Sequence, residues 1–268
     1  MPRFKLTLEY AGTRYRGWQI QQNARTVQGE LDRAIRTVTR RREFELYGSG
    51  RTDAGVHALA QVAHLDIKTA WPPHTLMQRV NDELPSDIGI LDASVAPPGF
   101  HARHGAVKRS YLYQIARRRT AFAKPFVWWV KEPLDLERMR EAGRVFSGLK
   151  DFRAFTDDDP DEKSTKVRVD PIEVGEDGDL VLVRVAGSHF LWKMVRRLVG
   201  VMADAGRGGI GPAEAHRLLA GEAPEQPARL TAPASGLFLE RIFYEGDPPP
   251  GPLRAAVAVT RARPQALQ

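Results

Sequence analysis

Two kinds of periodicity alternate along the first 95 residues, and their order constrains the fold more than any other feature of the chain. Phe4-Lys5-Leu6-Thr7-Leu8-Glu9-Tyr10 alternates apolar and polar residues with period two, the mark of a half-buried strand. From Thr26 to Val38 the period lengthens. Val27, Leu31, Ala34, Ile35 and Val38 share one face of a helix, with Thr26 as its N-cap. Phe44–Tyr47 and Gln61–Ile67 read as strands again. Pro72-Pro73 opens a second helix through Leu84, striped by Leu76, Val80 and Leu84, and a strand follows from Ile88 to Val95.

Strand, helix, strand, strand, helix, strand is a ferredoxin-like order, an α+β layout with helices on one face of an antiparallel sheet. The remainder repeats the mixture. Strands are predicted at Ala106–Ala116 and Pro125–Val130, and a helix at Leu136–Phe146 with Met139, Ala142, Val145 and Phe146 inward. Strands Arg168–Val174 and Asp179–Ala186 flank the turn Glu176-Asp177-Gly178. A long helix at Phe190–Ala205 carries the stripe Leu191, Met194, Val195, Leu198, Met202. A short helix runs from Gly211-Pro212 to Leu219, and a last strand ends near Tyr244. The pattern gives two α+β halves, residues 1–105 and 106–246. The Pro- and Arg-bearing segment 247–268 is expected to be extended or disordered.

With 268 residues and 42% hydrophobic composition, the chain can bury a core in each half. No apolar run reaches the roughly 18 residues that span a bilayer, and Met1-Pro2-Arg3-Phe4 leads directly into a strand without a signal-peptide pattern. There is no cysteine, hence no disulfide and no thiolate metal site. The expected location is the cytoplasm. Net charge is +7, and only nine of the 40 basic residues are lysine. Arginine suits phosphate binding, but its abundance beside Ala, Pro and Gly also follows from GC-rich coding. The positions of particular arginines carry the functional argument.

The densest chemistry lies between two of the predicted strands, in Gly48-Ser49-Gly50-Arg51-Thr52-Asp53-Ala54-Gly55-Val56-His57-Ala58. Glycines allow positive φ and close approach of a ligand. Arg51 and Asp53, two apart, share a face in extended backbone, and an arginine keeps a neighbouring carboxylate ionised. Three readings follow: a tight turn with a surface ion pair, a phosphate cradle, or a loop presenting a nucleophile or base. The cradle lacks P-loop spacing and the Lys-Ser/Thr ending. Upstream, Arg14-Tyr15-Arg16-Gly17-Trp18-Gln19 interleaves cations and aromatics, which suits stacking with phosphate contact, or two rings pinning the loop to the core. Arg117-Arg118-Arg119 reads as a solvated turn or a phosphate grip, and Asp157–Glu162 as an exposed acidic loop that would repel a nucleic acid and points away from the cleft. His101 and His104 lack a third ligand nearby and read as exposed or RNA-facing rather than metal-binding.

The string Gly50-Arg51-Thr52-Asp53-Ala54-Gly55-Val56-His57-Ala58 resembles the signature of the tRNA pseudouridine synthase A family. Five further runs resemble that family in the same order. They are Tyr10-x-Gly12-Thr13-x-Tyr15-x-Gly17-Trp18-Gln19, Phe100-His101-Ala102-Arg103, Tyr111-Leu112-Tyr113, Phe190-Leu191-Trp192-Lys193-Met194-Val195-Arg196-Arg197-Leu198-Val199-Gly200, and Pro233-Ala234-x-Gly236-Leu237. Asp151–Phe155 is similar too. Ala11 departs from the pattern, which often has aspartate there.

The resemblance implies an isomerase converting uridine to pseudouridine at nucleotides 38 to 40 of the tRNA anticodon stem-loop, without metal or other cofactor. It implies two ferredoxin-like halves sharing a continuous, mainly antiparallel sheet with a cleft between them, and a homodimer. It assigns Asp53 as the catalytic nucleophile, Arg196 as its ion-pair partner, Arg51 to the space left by the flipped base, Tyr111 to stacking on that base, and Leu237 to the pocket. Arg14 and Arg16 are expected on RNA phosphates, Arg197 on the surface or near phosphate. His57 either serves the site or only packs and bonds locally. The competing class is a non-catalytic RNA-binding module of the same shape. A nucleotide hydrolase using the Gly-rich loop is disfavoured by the missing P-loop lysine.

Overall fold

A computed structural model describes residues 1–159, 164–223 and 225–260 of the chain. It divides into two compact units, residues 1–111 with 238–249 and, among the described residues, 112–237 with 250–260. The sequence places the break at 105/106. The chain instead changes unit in the middle of a strand, between Tyr111 and Leu112.

The first unit contains β1 (Arg3–Tyr10), α1 (Val27–Thr39), β2 (Glu45–Gly48), β3 (His57–Asp66), α2 (Pro73–Glu83), β4 (Ile88–Val95) and the first half of β5 (Lys108–Ala116). β1 buries Phe4, Leu6, Leu8 and Tyr10, every second residue, as its alternation requires. It lies between β4 and β3, antiparallel to both. Thr26 caps α1 by accepting from Gly29 N at 3.2 Å, a bond of about 1 kcal/mol. Val27, Leu31, Ala34 and Ile35 of α1 and Leu76 and Val80 of α2 close the core over the sheet.

β3 begins at His57, four residues before the expected start, so it is long enough to pair along its second edge with two strands. Ala63–Asp66 pair antiparallel with β2, while His57 and Ala58 pair parallel with Phe238 and Leu239 of a strand returning from the far end of the chain.

The second unit holds the rest of β5, then β6 (Trp128–Trp129), α3 (Leu136–Phe146), β7 (Gly148–Asp151), β8 (Lys166–Val169), β9 (Glu173–Asp177), β10 (Leu180–Gly187), α4 (Met194–Gly206), α5 (Pro212–Ala220) and α6 (Glu225–Arg229). β11 (Leu237–Phe243) then returns to the first unit. Within the second unit the strand order is β5-β10-β8-β7, with β9 on β10 and β6 on β5. Every residue of β10 is buried. α3 turns Met139, Ala142, Val145 and Phe146 inward, and Asp135 caps it. No helix among the described residues is long and apolar enough to cross a membrane.

Several expectations need correction. The strand expected at Arg168–Val174 is two strands, because Pro171 has no N–H to continue a ladder. The strand expected at Pro125–Val130 shrinks to two residues, and Trp129 is exposed beneath the Arg119 guanidinium. α4 starts at Met194 rather than Phe190, since Lys193 takes φ 61° and cannot be helical. The arginine run is no free turn. Arg117 pairs with Glu176, and Arg118 with Asp179 at 2.5 Å and with Thr260 O.

Of the segment expected to be extended or disordered, residues 250–260 form an irregular, extended strap on the second unit, and residues 261–268 lie outside the described residues. Gln114, buried, accepts from Ala256 N at 2.6 Å, and buried Arg184 donates to Gly251 O and Pro252 O. Asp179 N donates to Val259 O at 2.9 Å.

Candidate active site

The signature loop occupies residues 49–56, between the end of β2 and the start of β3. Ser49 and Thr52 are buried, Arg51 is exposed and Asp53 is half-buried. Ala54-Gly55 makes the turn, Gly55 at φ +79°, and Val56 N donates back to Asp53 O at 3.1 Å.

An N-terminal arm, residues 10–18, grips this loop. Trp18 N donates to Thr52 O at 3.1 Å, Gly55 N to Tyr15 O at 3.3 Å, and Gly12 N to His57 Nδ1 at 3.0 Å. The approach is so close that a Cβ on Gly12 would stand 1.9 Å from Val56 O. Gly17, at φ +93°, has no room for one beside Thr52 O. Tyr15 and Trp18 are 2% and 1% exposed, and the Tyr15 hydroxyl donates to Asp87. The two rings therefore pin the loop and are not available for stacking with RNA. His57 serves locally as well, accepting from Gly12 and stacking on Phe238 with ring centroids 4.8 Å apart.

Asp53 acts electrostatically on Tyr111. Burial, and after it the Asp53 charge, push the Tyr111 phenol up to about 12, with Arg109 opposing. The Tyr111 phenol is thus neutral at ordinary pH and within electrostatic reach of the Asp53 carboxylate. Arg109, two residues earlier on β5, donates to Ala106 O and Arg103 O, both at 2.9 Å. Next to the loop, Arg14, Arg16 and Arg25 line an open groove with Thr13, Asn23, Ala54 and Gly55. The Arg14 side chain is 74% exposed, Arg16 is exposed, and Arg25 lies over the Tyr15 ring and pairs with Glu30 at 2.5 Å.

The sequence pattern described as tRNA pseudouridine synthase matches residues 7–104 and 142–245, which include this loop, its arm and most of the second unit. The chain belongs to the tRNA pseudouridine synthase family, a family of isomerases. It is 38% identical over 256 residues to tRNA pseudouridine synthase A of Agrobacterium fabrum, covering 93% of this chain and 95% of that one. To the enzyme of the same name from Nitrobacter winogradskyi it is 40% identical over 252 residues, covering 93% and 98%. A solved archaeal box H/ACA Nop10–Cbf5 complex is similar only at a TM-score of 0.37 and 14% identity, over 78% of this chain and 44% of that one.

The remaining residues singled out for this pseudouridine synthase lie in the second unit. Arg196, on the first turn of α4, donates from Nε to Ala232 O at 2.7 Å and receives Ala232 N on its own carbonyl. Leu237 is buried, and the segment before it rests on Tyr113, whose hydroxyl donates to Pro233 O at 2.7 Å. A Cβ on Gly236 would stand 2.6 Å from the Tyr113 ring. Arg197 is not on the surface. It is 3% exposed and paired with Asp157, which also binds Lys193 at 2.8 Å, while Asp158 accepts from Trp192 N. The start of the expected acidic loop is therefore the anchor of the α4 N-terminus, and residues 160–163 lie outside the described part. The sequence hid this because the charges that pair are about 40 positions apart.

His104 is exposed, as expected, and His101 is half-buried. With Tyr47 and His64 they form a contiguous cluster, centroids 4.3 to 5.8 Å apart. Among the described residues no group of three or more His, Cys, Asp or Glu is placed to hold a metal. The nitrogens have another use. His64 Nδ1 accepts from Ala102 N at 3.2 Å, and His101 Nδ1 from Arg103 N and His104 N. A backbone N–H can donate only to an unprotonated nitrogen. Burial first, then Arg3 and His101, hold His64 down at about 4, with Asp66 opposing. A folded value below the unfolded one, roughly 6.5, means that the unfolded chain takes the proton first. The stability from this group is complete above about pH 6.5 and is lost as pH falls toward 4. Urea unfolding is expected to weaken by up to about 2 kcal/mol across that window, and His64→Gln to flatten that slope.

Proposed function

We propose that the protein isomerises uridine to pseudouridine in the anticodon stem-loop of tRNA, at nucleotides 38 to 40, with Asp53 as the reacting carboxylate. The observation that carries this reading is the placement of Asp53 on a clamped loop, its charge felt by the neutral Tyr111 phenol, with an arginine-lined groove alongside. In the reaction the N1–C1′ glycosidic bond breaks, the uracil turns, and a C5–C1′ bond forms. C5 gives up its proton and N1 ends protonated, so nothing is oxidised. Asp53 supplies an electron pair at ribose C1′ or uracil C6, or takes a proton. A flipped base loses stacking worth a few kcal/mol, and Tyr111 returns part of it from one face while exposed Arg51 occupies the space left behind. The ion-pair role of Arg196 and the pocket role of Leu237 rest on the resemblance alone, as do a homodimer and a cytoplasmic location.

The test is tritium release from tRNA labelled at uridine C5, with no metal or nucleotide added. Release at nucleotides 38 to 40 is expected. Tight, salt-sensitive tRNA binding without release would leave an RNA-binding module and defeat the catalytic reading.

Arg14 and Arg16 are assigned to tRNA phosphates. Replacing both with glutamine is expected to reduce the log–log salt slope of tRNA binding by about two units, one per released counterion. An unchanged slope places them outside the interface.

A further inference from the structure

Beneath the signature loop lies a buried polar network that the proposed reaction does not itself use, and we propose that it sets the position of Asp53. Gln61, fully buried on β3, spans the first half of the loop. Its carbonyl accepts from Ser49 Oγ at 2.7 Å and Val62 N at 3.2 Å, and its amide donates to Gly50 O at 3.0 Å. Tyr10, 4% exposed at the end of β1, shares a 2.8 Å hydrogen bond with Thr52 Oγ1. Ser49, Gly50 and Thr52 are thus fixed from below, and Trp18 N fixes the Thr52 carbonyl as well. The two charged residues of the loop, Arg51 and Asp53, alternate with these pinned neighbours.

A phenol, a threonine hydroxyl and a glutamine amide in a dry core gain little net stability over apolar groups of the same shape. What they add is direction, since a hydrogen bond fixes orientation where an apolar contact fixes only separation. Tyr10, Gln61 and the Thr52 hydroxyl are positioning residues for the Asp53 backbone. This inference rests on Asp53 being the reacting carboxylate.

Three conservative variants test it. Tyr10→Phe removes one oxygen and keeps the ring, Thr52→Val removes the hydroxyl at nearly constant shape, and Thr52→Ser restores it. With C5-tritiated tRNA, kcat of Tyr10→Phe and Thr52→Val is expected to fall roughly 10- to 100-fold, while KM and tRNA affinity stay within about twofold. Thr52→Ser stays within about threefold of wild type, and the double variant is no worse than the weaker single, because both cut the same bond. Amide hydrogen exchange over residues 49–56, read on the free protein, speeds up in Tyr10→Phe. Unchanged kcat in Tyr10→Phe, or a Thr52→Ser loss equal to that of Thr52→Val, overturns the inference. A wild type that releases no tritium defeats the reaction instead, and the exchange rates then decide by themselves whether the network holds the loop.

Discussion

Asparagine at position 53 is expected to leave the protein folded and to stop pseudouridine formation, with tritium release down at least ~10³-fold. The two side chains have the same shape, and Asp53's bond to Val56 N uses the main-chain carbonyl, which the substitution leaves alone. The site is half-buried and the loop is held by other residues, so the unfolding midpoint should barely move. What disappears is the negative charge, and with it any capacity to donate an electron pair to carbon or accept a proton. The Tyr111 phenol offers a readout independent of turnover. Its upward shift owes part to the Asp53 charge, so one tyrosine in the Asp53→Asn variant should ionise at lower pH in an ultraviolet titration. Full activity in this variant would remove Asp53 from the chemistry whatever the family resemblance.

Alanine at position 12 is expected to have the largest effect on stability of any single methyl group added near the loop. The new carbon would lie 1.9 Å from Val56 O and 2.6 Å from Val56 C, both backbone atoms that no rotamer change can move. Either the arm or the loop must shift, which breaks the Gly12–His57 and Tyr15–Gly55 bonds together. A cost of about 3 kcal/mol or more follows, at the upper end for overpacking, and activity should fall with it. Gly50 supplies the control within the same loop. Nothing lies within 4 Å of a Cβ built there, so Gly50→Ala should change stability by no more than about 0.5 kcal/mol. Equal urea midpoints for the two variants would mean that the arm does not pack against the loop.

What the sequence made legible were the features that repeat. Period-two alternation in Phe4–Tyr10 and the stripes of α1 and α4 are local, and each residue's burial follows from its neighbours. The place of the signature loop between two strands was readable for the same reason. Boundaries set by a single backbone angle were not: Lys193 at φ 61° delays α4 by about a turn, and nothing in its identity announces it. Pairings across long separations were also hidden. Arg197 looked like one more surface cation because its partner, Asp157, sits in another run of charge. Gln61 passed as one residue of an alternating strand, although its side chain holds both Ser49 and Gly50. Tyr15 and Trp18 were ambiguous until their burial was known, since an aromatic between arginines suits an RNA surface and a core equally well.

The late return of the chain to each unit bears on how the protein can be made. Leu239 and Ile242 of β11 belong to the core of the first unit, and the strap from residue 250 to 260 satisfies Gln114 and Arg184 in the second. Neither unit is complete while the nascent chain is shorter than this. The usual sequence in which an N-terminal domain finishes folding during synthesis is therefore closed to this protein. Its signature loop, next to the β3 residues that β11 pairs with, reaches its final frame only after Phe238 and Leu239 have been made.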